Sequence, residues 1–218
     1  FVHVREAAAG ADLVIRAVTR EVPRLGIAPP NVQVITPMHR GPLGVAELNR
    51  RLQEALNPPG PGRAEVRSGD LILREGDRVL QIVNNYDKAV FNGEIGRVTR
   101  VDAANRYVTV AFEDQDVSYD AQDIDQLQLA YAMTIHKSQG SEYPCAIIVM
   151  HSTHYIMLRR NLLYTALTRA EDLAVIIGNS QGVMRAAGNA DEQRRFTRLA
   201  ERLRGRAAIA GPADRPEL

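Results

Sequence analysis

The sequence predicts an α/β protein: a parallel-sheet domain interrupted by a small inserted antiparallel barrel. Three observations carry this reading. Residues 1–56 alternate short apolar strands with helices of three- and four-residue apolar spacing. The run Asn57-Pro58-Pro59-Gly60-Pro61-Gly62 then breaks the chain and opens a stretch of short strands. From Leu127 the α/β pattern returns. The parts are 1–58 and 127–184 for the interrupted domain, 64–126 for the insert and 185–218 for an Arg-rich helical tail.

Phe1-Val2-His3-Val4 reads as a short strand, and Leu13, Val14, Ala17, Val18 and Val22 mark a helix closed by Pro23 and the Gly26–Pro30 stretch. Val32-Gln33-Val34-Ile35-Thr36 is a β-branched strand stopped by Pro37. After a loop, Val45, Leu48, Leu52 and Leu56 share one helix face. In the insert, strands are expected on Leu80/Ile82/Val83, Ile95/Val98/Val101, Val108/Val110/Phe112 and Val117/Tyr119, with Asn92-Gly93 as a hairpin turn. Beyond it, Tyr131 to Gln139 reads as a helix, Ala146 to Met150 as a buried strand, Leu158 to Arg169 as a helix and Leu173 to Ile177 as another strand. The tail reads as helical to about Leu203 and frayed from Gly205.

Composition bounds the function. The 218 residues are 45% hydrophobic and 24% charged, as in folded domains. Net charge is only +1, so any nucleic-acid contact must come from local patches. One cysteine, Cys145 in an apolar run, leaves no intrachain disulfide or cysteine-cluster metal site. No apolar run approaches the roughly 18 residues that span a bilayer. No secretory signal is evident, and a cytoplasmic location with no membrane partner is expected. Of 27 basic residues only Lys88 and Lys137 are lysine, and neither stands in a Gly-Lys-Ser/Thr phosphate loop.

Three segments carry chemistry. In Thr134-Ile135-His136-Lys137-Ser138-Gln139-Gly140-Ser141-Glu142, helical spacing would group Thr134, Lys137 and Ser138. Hydroxyl, imidazole and ammonium groups together suit phosphate oxygens. The ordinary alternative is a solvated helix face; the presence of one of the two lysines in the string favours function. In Arg159–Ala170, Arg169 at the helix end could simply answer the helix dipole. Taken alone, that is the commoner role of such a residue; the functional alternative is an arginine finger, a guanidinium on a transferring phosphate. In Thr36-Pro37-Met38-His39-Arg40-Gly41, Arg40 follows a strand's carboxyl end, where open α/β sheets bind ligands.

Taken together these segments resemble the superfamily 1 DNA helicases of the RecD-like type. Ile135–Glu142 resembles motif V, Leu163–Ala170 motif VI, and Val34–Gly41 with Leu48-Asn49 motif IV. Gly76–Lys88 with Phe91–Gly96 resembles the start of that family's inserted domain 2B. The resemblance implies a RecA-like domain 2A carrying a Src-homology-3-like insert. It implies that Arg169 and Arg40 are catalytic arginines on the γ-phosphate of ATP. Gln139, Gly140 and Glu142 would face the nucleotide. Thr134, His136 and Lys137 would hold DNA phosphates, with Thr36 and Asn49 as further DNA contacts. ATP with Mg²⁺ would be held by a missing N-terminal motor domain, because motifs I, Ia, II and III are absent. The chain, beginning at Phe1 rather than Met, is then expected to be the C-terminal motor half of a longer polypeptide, inactive as an ATPase alone. The family implies 5′→3′ movement on single-stranded DNA, in repair or recombination. A helix from Thr134 to Gly140 would span roughly 9 Å and could link DNA to nucleotide. A conjugative relaxase–helicase, a 3′→5′ helicase or a non-enzymatic nucleic-acid-binding module are the alternatives. The Arg-rich tail is expected to be a solvated face.

Overall fold

Valine and isoleucine runs too short for helices and too apolar for loops must be buried on both sides, and they form the parallel sheet at the centre of the molecule. The structure, a computed structural model, describes residues 1–190. Its strands are β1 (Val2–His3), β2 (Val32–Thr36), β10 (Ala132–Thr134), β11 (Tyr143–Met150) and β12 (Ala170–Gly178), in the order β1-β12-β11-β2-β10, all parallel. Alternation along β11 divides the core. Ile147 and Val149 pack with Val14, Val18, Leu48 and Leu52 from α1 (Ala7–Arg16) and its continuation and from α2 (Val45–Leu56). Ile148 and Met150 pack with Leu162, Leu163 and Ala166 of α3 (Arg160–Leu167) and Ala186 of α4 (Ser180–Gly188). The helix expected up to Val22 is present with a widened last turn, in which the Val22 N–H donates to Ala17 O at 2.9 Å.

The insert holds β5 (Arg78–Gln81), β6 (Ile95–Asp102), β7 (Tyr107–Ala111), β8 (Asp116–Tyr119) and β9 (Leu127–Leu129) in one antiparallel sheet, ordered β8-β7-β6-β5-β9. A hairpin of β3 (Glu65–Ser68) and β4 (Leu71–Arg74) lends Val66 and Leu73 to the same core, beside Val79, Val98, Val110 and Tyr119. The hydrogen-bond ladder stays open, with β8 and β9 as its edges. Three departures from the sequence reading appear here. The β3–β4 hairpin is additional to the expected strands. The first insert strand ends at Gln81, and Val83 is 45% exposed in the following loop. Residues 127–129, assigned to the returning domain, pair with β5 (Val79 opposite Leu129), so the insert runs to Leu129.

A larger correction concerns Tyr131–Gln139. It is not a helix: β10 pairs with β2, Ala132 opposite Val34 and Thr134 opposite Thr36, and a tight turn follows. The free edge of β2 satisfies this backbone better than an isolated helix of two turns could. The helix expected over 158–169 is confined to Arg160–Leu167, and its strand partner begins at once at Ala170. Helix α4 starts at Ser180, where the Asn179 side chain accepts from Gly182 N at 2.8 Å. The rest of the expected tail helix and its frayed end lie outside the described residues.

A buried carboxylate, Asp77, is a hub of the seam between insert and sheet domain. Asp77 Oδ1 accepts from Asn57 Nδ2 (2.7 Å) and Tyr131 Oη (2.9 Å). Its Oδ2 accepts from Gln53 Nε2 (2.6 Å) and Arg74 N (2.7 Å). Asn57, read from sequence as the start of a linker, is thus an anchor at the end of α2.

Candidate functional site

The chain from Thr134 to Tyr143 leaves the carboxyl end of edge strand β10 and returns to the amino end of β11, with β2 between them in the sheet. Ile135 is fully buried against Ile35 and Ile148, which pins the start of this crossover. Thr134 O accepts from Lys137 N (3.0 Å) and Ser138 N (3.1 Å), closing the turn; Ser138 Oγ donates to Ile135 O at 2.9 Å. Gly140 leaves the turn at φ +87°, a left-handed conformation that favours glycine. His136, Gln139, Gly140 and Glu142 are exposed, and Lys137 is half-buried. Burial pushes the Lys137 ammonium below its usual range, and no carboxylate pairs with it among the described ion pairs. Lys137 thus presents a partly desolvated cation on the turn, with no carboxylate on it among the described residues.

Arg169 lies just past α3. Its Nη1 donates to Ser141 O (2.9 Å), its Nε to Thr165 O (3.2 Å) and its Nη2 to Thr168 Oγ1 (3.2 Å). Tyr143 N donates to Arg169 O at 2.9 Å. The guanidinium is therefore braced against the last turn of α3 and the 138–142 turn at once. Sequence reasoning placed Arg169 in the helix and missed the Ser141 carbonyl, because that contact joins segments 28 residues apart.

Other expected site residues fall elsewhere. Arg40 is exposed, beyond the carboxyl end of β2, whereas Arg169 precedes the amino end of β12. No described hydrogen bond or ion pair connects the two arginines. Thr36 is fully buried and its hydroxyl donates to Leu43 O at 2.7 Å. Asn49, 3% exposed, donates to Leu129 O (2.8 Å) and Ala132 O (2.9 Å) and accepts from Ala132 N (2.7 Å). Both side chains are spent inside the fold, so neither presents a group to DNA here. Thr134 is also buried, and its hydroxyl accepts from Lys137 N at 3.3 Å. Among the described residues no group of three or more His, Cys, Asp or Glu side chains could hold a metal ion. Among the same residues no helix is long and apolar enough to cross a membrane.

A parallel sheet interrupted by a small antiparallel domain is the architecture of a helicase C-terminal half, and it is the family models that assign it here. Two family models match in the order the fold requires: the SH3 domain of ATP-dependent RecD-like DNA helicases over residues 48–112, and the C-terminal domain of UvrD-like helicases over residues 129–177. The chain belongs to the RecD-like group of superfamily 1 helicases and forms their C-terminal motor half. It is 42% identical over 189 residues to the ATP-dependent RecD2 DNA helicase of Deinococcus radiodurans, a match covering 87% of this chain and 26% of that protein. It is 32% identical over 165 residues to the RecBCD enzyme subunit RecD of Mycolicibacterium smegmatis, covering 76% of this chain and 28% of that one. The chain thus spans about a quarter of the length of these relatives. A Bacteroides Pif1 helicase solved in complex with ADP-AlF3 and ssDNA has the same fold, with a TM-score of 0.52 at 19% identity, over 96% of this chain and 56% of that one.

Proposed function

We propose that this chain works in the cytoplasm as the C-terminal motor half of an ATP-dependent DNA helicase or translocase that moves 5′→3′ on single-stranded DNA. ATP and Mg²⁺ bind on an N-terminal motor domain supplied by the rest of the polypeptide, and the chain alone does not turn ATP over. The observation that carries this reading is the bracing of Arg169 on the Ser141 carbonyl. Held on the Ser141 carbonyl, between Gly140 and Glu142 in the chain, the guanidinium is available to meet a γ-phosphate presented across a cleft. A pre-positioned cation of this kind stabilises phosphoryl-transfer charge without reorganising during the reaction.

At the other end of the crossover, His136 and Lys137 take DNA phosphates, and Thr134 shapes the turn that presents them. The contacts are to the backbone, so binding is indifferent to base sequence and weakens with salt. The eight residues from Ile135 to Glu142 run from the carboxyl end of β10 to the amino end of β11. Closure of the cleft on ATP then shifts the DNA-holding end through a short, partly buried turn rather than through a helix. Arg40 is a second γ-phosphate cation on the family reading. Its place beyond the carboxyl end of β2, the edge at which Thr134 leaves the sheet, favours a second role as a DNA-phosphate contact.

The test is single-stranded-DNA-stimulated ATP hydrolysis by the full-length polypeptide carrying Arg169→Ala. Turnover is expected to fall by about 10³-fold or more with DNA affinity retained. Unchanged turnover returns Arg169 to a helix-capping role. Arg40→Ala separates its two roles: loss of turnover at saturating DNA supports the γ-phosphate, whereas a weaker DNA Kd with turnover intact supports the DNA backbone.

A further inference from the structure

The seam between insert and sheet domain holds a cavity of about 330 Å³. One wall is apolar, made by Val18, Leu52 and Leu56 with Pro29 and Pro30. The lining also carries Arg63, Arg78 and Arg97. Arg78 and Arg97 stand directly opposite each other on β5 and β6. Like charges in that position destabilise a sheet. None of the three arginines is in an ion pair among the described residues. Glu75, which also lines the cavity, pairs with none of them. Arg78 is half-buried; its guanidinium donates to Pro30 O at 3.3 Å and lies 5.7 Å from the centre of the Tyr143 ring. Burial pushes Arg78 below its ordinary value; Tyr143 and Tyr131 oppose the shift, and the Arg97 charge adds to it. A carbonyl and an aromatic face compensate the charge only in part, and a half-buried guanidinium facing a second one gains from an anion.

We propose that this cavity binds a small organic anion with an apolar body, its anionic head between Arg78 and Arg97 and its body against Leu56, Pro29 and Pro30. Arg63, held by Asn57 Oδ1 at 2.5 Å, closes the rim. A bound ligand bridges α2 and the insert, so it stiffens the joint that Asp77 makes. The site is independent of the ATP and DNA contacts proposed above, and its test requires neither.

The probes are 8-anilinonaphthalene-1-sulfonate and its uncharged counterpart N-phenyl-1-naphthylamine, titrated by fluorescence and calorimetry against the full-length polypeptide. One saturable site per chain is expected for the sulfonate. Its affinity should fall at least tenfold in Arg97→Gln and in Arg78→Met, with the neutral dye unaffected. Arg97 is exposed, so Arg97→Gln keeps the fold if Arg78→Met does not. In the absence of dye, Arg97→Gln should raise Tm by about 1–3 °C, because it relieves the like-charge pair. Equal affinity for both dyes, indifference of sulfonate binding to Arg97→Gln, or a lowered Tm in that variant overturns the proposal. Absence of any sulfonate site in the full-length polypeptide also overturns it, in favour of a cavity filled by another segment of the protein.

Discussion

Asp77→Asn is the perturbation that most directly tests how the insert is held. The substitution keeps size and shape and removes charge. In the wild type, each carboxylate oxygen accepts two hydrogen bonds, from Asn57 and Tyr131 on one side and from Gln53 and Arg74 N on the other. Whichever way the new amide turns, its NH₂ faces two donors. Two bonds to a buried charge are lost, each worth about 1.5–3 kcal/mol, and the displaced donors have no water at hand, since Asp77 is fully buried. Relaxation returns part of this, leaving a net loss of about 3–4 kcal/mol. At a urea m-value of about 2 kcal/mol/M the midpoint falls by about 1.5–2 M. The assay is urea unfolding followed by far-UV circular dichroism. A midpoint within about 0.3 M of wild type, at unchanged m, refutes the view that this carboxylate joins the two parts.

Other predictions are as specific. Asn49→Ala strands two backbone carbonyls and one N–H at the β9–β10 junction. It should cost about 2–4 kcal/mol in urea unfolding whether or not DNA is present. His154 is 4% exposed, and its Nδ1 has no partner. Burial, helped by nearby His151, depresses its pKa to about 4. The unfolded chain therefore binds the extra proton between about pH 6.5 and 4. Stability from this group is full above that window and falls through it by up to about 3 kcal/mol; His154→Gln should flatten the acid limb of the stability–pH curve. At Gly178 a Cβ would lie 1.7 Å from Met150 O, inside the β11–β12 pairing. Gly178→Ala should cost about 3 kcal/mol or more, read as a lowered Tm.

The elements most visible in sequence are those where local pattern and tertiary demand agree. Val32–Thr36 and the Val45–Leu56 helix lie where the β-branched run and the apolar stripe place them. The insert's three main strands follow their alternating valines, and Gly93 takes φ +107° in the expected Asn-Gly turn. The failures share a cause. Leu127–Leu129 and Ala132–Thr134 are three-residue strands whose identity depends on a partner far away in sequence, β5 and β2 respectively. The Ala132–Thr134 segment has helical spacing when read without its partner, because Thr134, Lys137 and Ser138 do share a turn.

The candidate site divides the same way. The sequence by itself determined which residues could carry the chemistry: the single Thr-Ile-His-Lys-Ser-Gln-Gly string, the arginine after Leu167 and the absence of a phosphate loop are matters of residue type and order. Those need no fold to be seen, because they depend on which donors and charges lie close along the chain. Tertiary structure alone decided which of them are available. It braced Arg169 on Ser141, left Lys137 without a counter-charge among the described residues, and consumed Thr36 and Asn49 in the backbone of the fold. It also set Arg78 against Arg97 and gathered four donors on Asp77. Hydrogen-bond capacity and desolvation are settled by what packs around a group, and that is fixed only when segments distant in sequence meet.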